Sequence, residues 1–219
     1  MSRIALVLGN HTVGEYFVTE RQGEKTRQIA ETLRGRLGSN PGRYGDIEVR
    51  YDHGNATELG VCQPTSYMGR RYGSDATLSG LDIVLLKNGK VFIMVEVEES
   101  SVRPKIILGD IFSTVLAKKI RVKGKSYPIH DAIMIVALTG NVRGRQVQKY
   151  SRLERLLAKF VSDLHIAPSR TSIRKVRIIV SNVGDLVRRV ERLIRLEASK
   201  PVQQISRLPL PNRSLQPRA

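Results

Sequence analysis

The sequence predicts an α/β fold, a mixed sheet with helices on both faces, and three features of its patterning predict it. A helix-period segment comes early, two β-rich runs meet at an Asn-Gly turn, and helices then alternate with strands as far as Glu197. Residues 1–200 read as one domain. Residues 201–219, with Pro201, Pro209, Pro211 and Pro217 among few apolar residues, read as an extended or disordered basic tail.

Ile4 to Leu8 predicts a short strand or a turn of helix. Glu24 to Leu37 predicts a helix with Thr26, Ile29, Ala30, Leu33 and Leu37 on one face, ended by Gly38. Asp46 to Tyr51 alternates Ile47 and Val49 with polar residues, as a strand does. From Asp52 to Gly80 the periodicity fails among Gly, Pro, Ser, Thr and Asn, which predicts a long loop, functional or disordered. Leu81 to Leu86 and Lys90 to Glu98 then form a hairpin about Lys87-Asn88-Gly89.

Arg103 to Ile120 predicts a helix, with Ser101 as N-cap, Pro104 in the first turn, and Ile107, Ile111, Val115 and Ile120 facing inward. The unbroken apolar run Ala132 to Leu138 predicts a buried strand. Gln146 to Leu164 follows as helix, Val176 to Ser181 as strand and Val183 to Glu197 as helix.

Charge narrows the function. Lys and Arg number 37 against 20 Asp and Glu, a net charge of +17, and the part from Arg143 onward holds 18 of the basic and 5 of the acidic residues. Such an excess repels itself unless a polyanion neutralises it, so nucleic acid is the expected partner. The single Cys62 excludes a disulfide framework or a Cys-rich zinc site, and His11, His53, His130 and His165 show no ligand spacing. No apolar run spans a bilayer and the N-terminus carries no secretory pattern, so the expected location is the cytoplasm.

The hairpin carries the chemistry. In its second strand Val91, Ile93, Val95 and Val97 are expected on one face and Phe92, Met94, Glu96 and Glu98 on the other. Two carboxylates thus share a face at the end of an otherwise apolar strand, with Glu99 next in sequence and Asp82 on the partner strand. Buried like charges repel and resist desolvation, and a hard divalent ion, Mg²⁺ or Mn²⁺, removes that penalty with oxygen ligands. The arrangement carries a parity condition. A two-residue turn at Asn88-Gly89 pairs Asp82 with Val95 and sends Asp82 and Glu96 to opposite faces. A shared site requires either a three-residue turn with Gly89 left-handed or a bulge elsewhere in the hairpin.

On these residues, Gly80-Leu81-Asp82-Ile83-Val84-Leu85-Leu86 and Val95-Glu96-Val97-Glu98, the sequence resembles the PD-(D/E)XK nuclease superfamily. The predicted order from Glu24 to Leu138 is similar to that superfamily's restriction-endonuclease-like αβββαβ core. The resemblance implies that Asp82 and Glu96 hold Mg²⁺ or Mn²⁺, and that Glu98, at the position where the family usually has Lys, completes the metal shell or acts as base. It also implies hydrolysis of phosphodiester bonds in double-stranded DNA, with a homodimer where both strands are cut.

Expected nucleic-acid contacts are Arg103 and Lys105 at the start of the helix after the hairpin, Arg145, Lys149 and Arg152 along the next, and Arg70 and Arg71 in the long loop. In that loop Tyr72 reads either as a residue that stacks on a base or as ordinary surface. On the helix from Gln146 to Leu164, Leu153, Leu157, Phe160 and Leu164 are expected opposite the basic stripe. Glu24 and Glu31 read as solvated surface, and Asp110 reads first as a satisfied core acid and second as a site residue. Two other readings stay open on the sequence: a non-catalytic nucleic-acid-binding protein on a nuclease-like scaffold, and a basic RNA-associated protein whose acids are incidental.

Overall fold

The computed structural model describes residues 23–53, 60–69, 71–99, 103–140, 142–166 and 173–198. The expectations for Ile4 to Leu8, Arg70, Ser101 and the tail lie outside these residues. The described elements are α1 (Glu24–Gly38), α2 (Pro41–Tyr44), β1 (Ile47–Tyr51), β2 (Thr65–Tyr67), β3 (Thr77–Gly80), β4 (Ile83–Lys87), β5 (Lys90–Glu98), α3 (Pro104–Leu116), β6 (Lys119–Val122), β7 (Lys125–Leu138), α4 (Arg145–Ile166), β8 (Ile173–Val180) and α5 (Val183–Ala198). No helix among them is long and apolar enough to cross a membrane.

The sheet is mixed. β1, β4 and β5 pair antiparallel, and β5, β7 and β8 pair parallel. β7 is long enough to serve twice. Its second half lies between β5 and β8, whereas its first half pairs with β6, which continues through β2 to β3 as an antiparallel wing. Residues Ala132 to Leu138 are all buried, because both edges and both faces of that stretch are covered.

Two apolar layers form around the sheet. Ile29, Leu33 and Leu37 of α1 and Leu186, Val190 and Ile194 of α5 pack on the face of Ile83, Leu85, Ile93 and Val95. Ile107, Ile111 and Val115 of α3 and Tyr150, Leu157 and Val161 of α4 pack on the face of Val84, Met94, Met134 and Val136. Burial of each such side chain contributes about 1.5–3 kcal/mol. The α1 face expected from the sequence, Thr26, Ile29, Ala30, Leu33 and Leu37, is the buried one.

Several expectations are corrected. The stretch Asp52 to Gly80 is not one loop, since β2 and β3 lie within it; strands of three and four residues are too short to show a period. α3 ends at Leu116, and Ile120, although buried, belongs to β6. The residue that precedes the first turn of α3 is Arg103, without a side-chain cap. Phe160 is 40% exposed, in edge contact with Phe112, while Tyr150, Leu157 and Val161 form the buried stripe of α4.

The hairpin settles the parity condition by its second route. Lys87 pairs with Lys90 across a two-residue turn, with Asn88 (φ 52°) and Gly89 (φ 68°) both left-handed. Leu86 then faces Val91 while Leu85 faces Ile93, so Phe92 is an extra residue bulged out of β5. The bulge exchanges the expected faces at the start of the strand: Val91 joins the Met94 layer and Phe92 packs against the Ile93 layer. The irregularity continues through the sheet. Val91 pairs with Ile129 but Ile93 with Ile133, and on β8 Arg174 is the extra residue between the partners of Ala132 and Ile133. Asp131 at the kink is left-handed (φ 54°), and its carbonyl oxygen accepts a hydrogen bond from Arg174 Nε at 2.8 Å. Arg174 also pairs with Glu197 of α5, whose side chain is 5% exposed.

Candidate functional site

The bulge decides where the acids stand. Beyond it Ile83 pairs with Val95, so the next position along brings Asp82 level with Glu96. Asp82 Oδ2 accepts a hydrogen bond from the Val97 N–H at 2.7 Å, which pins its carboxyl over the end of β5. His53 Nε2 lies 3.7 Å from Asp82 Oδ1, and the backbone N–H of Asp52 donates to the Asp82 carbonyl. Asp82, Glu96 and Glu98 therefore gather at the carboxyl end of the central strand, the end at which open α/β sheets place their ligand crevices.

α3 adds a fourth acid. Asp110, whose second reading from the sequence is a site residue, turns its carboxyl to Glu98, with which it shares a hydrogen bond, and acts electrostatically on Asp82 and Glu96. All four acids hold their protons more tightly than usual. Burial is the first cause for each, and repulsion within the group adds to it for Glu96, Glu98 and Asp110. Glu96 is pushed furthest, well above its ordinary 4.5, because it is buried and feels the charges of Asp82 and Asp110, with its hydrogen bond to Asp82 adding to the shift. Asp82 rises less, since the Val97 N–H and His53 favour its ionised form.

Glu99 does something different. Its Oε1 accepts from the Thr26 N–H at 3.0 Å and from Thr26 Oγ1 at 3.1 Å. Thr26 is in the first turn of α1, whose N-cap Gly23 offers no side chain, so Glu99 caps that helix and complements its dipole. Gly23 itself is left-handed (φ 88°), and a Cβ there would lie 2.2 Å from His53 Cγ. The α1 start, His53 and the acids thereby enclose a cleft of about 200 Å³ lined by Gly23, Thr26, His53, Asp82, Val97, Glu98 and Glu99.

The expected cations are not gathered into this cleft. Arg103 and Lys105 are exposed at the start of α3, and no ion pair among the described residues joins them to Glu98 or Glu99. Arg145, Lys149 and Arg152 are exposed on α4, which packs against β8. The approach to α4 does start beside the acids, because Thr139 donates from both its N–H and its Oγ1 to the Glu98 carbonyl. Arg71 is exposed, and the Tyr72 ring stands edge-on to Tyr67 with the Arg121 guanidinium over it at 4.2 Å. Glu24 and Glu31 lie on the exposed face of α1 as expected. Sequence reasoning missed His53 and Gly23 and put the site role of Asp110 second; only the position of Asp110 beside the inward stripe hinted at it.

The donor set suits a hard divalent cation: four carboxylates, each strained by burial and by its neighbours, and each relieved by positive charge. Among the described residues, no three His, Cys, Asp or Glu side chains are already drawn in closely enough to enclose an ion. No family model, no curated protein and no solved structure matches the chain.

Proposed function

We propose that this chain is a Mg²⁺- or Mn²⁺-dependent endonuclease of the PD-(D/E)XK type, acting on phosphodiester bonds in double-stranded DNA. The observation that carries the reading is the Phe92 bulge, which brings Asp82, Glu96 and Glu98 to one end of one strand in a protein of net charge +17. The strand sequence around β5 supports it too: α1, β1, β4, β5, α3 and β7 follow the αβββαβ order of restriction-endonuclease-like folds, with β2, β3 and β6 as additions.

In this reading Asp82 and Glu96 hold the metal, with Glu98 or Asp110 completing its shell. The ion supplies Lewis-acid polarisation of the scissile phosphate and a lowered pKa for bound water. The Val97 N–H keeps Asp82 aimed and favours its ionised form. The carboxyl pair Glu98–Asp110 takes the proton that the attacking water gives up, the part that Lys plays in most of the superfamily. Arg103 and Lys105, on the helix that carries Asp110, reach toward flanking phosphates.

Plasmid nicking tests the proposal. Wild-type protein is expected to nick with Mg²⁺ or Mn²⁺ and not in EDTA, with rates falling about 10³-fold in Asp82→Ala and Glu96→Ala while DNA binding persists, the loss usual for an essential electrostatic group. The rival reading, a DNA-binding protein that keeps only the scaffold, draws on Glu98 in the Lys position. Tight binding with no nicking under any divalent ion establishes that rival and sinks the enzyme.

A further inference from the structure

The antiparallel wing of β2, β3, β6 and the first half of β7 carries a one-sided charge, as the start of α4 does. Between Lys118 and His130 there are five Lys or Arg and no Asp or Glu. On α1, β8 and α5, by contrast, basic residues pair with acids: Arg27 with Glu31, Arg36 with Glu191, Arg177 with Glu154, Arg188 with Asp185. A solvated structural face is normally interleaved in that way. On the wing, among the described residues, Arg121, Lys123 and Lys125 have no carboxylate partner, and Arg121 and Lys125 lie against aromatic rings. Arg121 stacks on Tyr72 and Lys125 Nζ lies 5.3 Å from the centre of the Tyr127 ring.

The wing is built rather than loose. Ile120 and Val122 are buried while Lys119 and Arg121, on the opposite face of β6, are half-exposed. The turn at its tip, Lys123 (φ 46°) and Gly124 (φ 79°), is a tight hairpin turn with Val122 paired to Lys125. Ser66 of β2 and Ser113 of α3 both bond the Ser79 hydroxyl, tying the wing to the helix that bears Asp110. The wing also leads straight into the acids. Arg121 pairs with Thr65 and Thr65 with Gly80, which precedes Asp82 by Leu81 alone. Two strand spacings put Arg121 about 10 Å from Gly80, roughly the rise of three base pairs.

We propose that this wing is a second nucleic-acid contact, in which Arg121, Lys123 and Lys125 neutralise backbone phosphates of duplex DNA a few base pairs from the acid cleft. Tyr72 and Tyr67 hold the Arg121 guanidinium outward, so that less side-chain entropy is lost on contact. The proposal rests on the reading of this chain as a DNA-binding protein and is independent of whether it cuts.

The experiment is fluorescence anisotropy of a labelled duplex with the full chain in EDTA, over a series of KCl concentrations. The triple variant Arg121→Gln, Lys123→Gln, Lys125→Gln is expected to bind roughly 10- to 100-fold more weakly at moderate salt. The slope of log affinity on log salt should flatten by about 2 to 3, near 0.9 per lost phosphate contact. The double variant Lys123→Gln, Lys125→Gln changes only exposed positions at the turn and should show about two thirds of that flattening, so a folding defect at Arg121 cannot decide the result. Unchanged affinity and slope in both variants overturn the proposal, as does wild-type preference for anionic phosphatidylserine vesicles or single-stranded RNA over the duplex. Because cutting plays no part in EDTA, loss of binding in a protein that never nicks sinks the hydrolase and keeps the wing. Normal nicking with unaltered binding by the variants does the reverse.

Discussion

Two hairpins in this molecule close with the same local device and do opposite things. β4 and β5 turn at Asn88-Gly89 and β6 and β7 at Lys123-Gly124, each with two left-handed residues. The first hairpin lies in the middle of the sheet with a helix layer on either side, and its acids are desolvated and crowded. The second stands at the periphery and keeps its cations in water. Turn chemistry sets the pairing next to the turn; the position of the hairpin in the sheet sets the electrostatic state of what it carries.

The sharpest way to break this contrast is to attack the dislocation that gives the central hairpin its site. Arg174→Ala removes both the donor to the Asp131 carbonyl and a partner of the buried Glu197. A loss of about 2–3 kcal/mol is expected, since removing one member of the pair weakens the compensation of the other, buried charge. For a domain of this size that is roughly 4–12 °C in Tm, read by thermal denaturation. A change within 1 °C would show that the kink stands without its tie.

The next effect separates the hairpins by pH. In the acid cluster the folded-state pKa values lie above their ordinary 3.8 and 4.5. The folded state therefore binds more protons, and the stability this contributes is full below about pH 4 and lost as pH rises through the raised values. Glu96→Gln removes the largest part of it. The variant is expected to be more stable than wild type at neutral pH in EDTA by on the order of 1 kcal/mol, roughly 2–4 °C, with the advantage vanishing toward pH 4. A pH-independent difference between the two proteins would contradict the origin assigned to the strain.

The smallest effect tests what the hairpins share. Gly89→Ala and Gly124→Ala meet no atom within 4 Å at the new Cβ, so each pays only for a left-handed backbone. Both should lose about 1 kcal/mol, and equally within experimental error, by chemical denaturation. Unequal losses would mean that the central hairpin stores strain in its turn as well as in its bulge.

Much of this molecule was legible before its structure. The helix period around Ile29, Leu33 and Leu37, the Asn-Gly turn and the apolar run through Val136 each report a local preference, and each became the expected element. β2, β3 and β6 were illegible because three or four residues carry too little pattern. The site was half legible. Asp82, Glu96 and Glu98 stood out as acids in an apolar setting, while His53 and Gly23 carry no local mark of their role and Asp110 only its place beside the inward stripe.

By itself the sequence determined the α/β class, the identity of the acids at the end of β5 and the excess of positive charge. Only the tertiary structure decided that Phe92 bulges, that Glu96 comes level with Asp82, and that Glu99 caps a helix 73 residues earlier in the chain. The reason is that a strand alternates with period two, so its phase is arbitrary until partners fix it. Here the phase is fixed by the positive-φ kink at Asp131 on β7 and the extra residue, Arg174, on β8, strands that follow β5 in sequence and lie beyond it in the sheet.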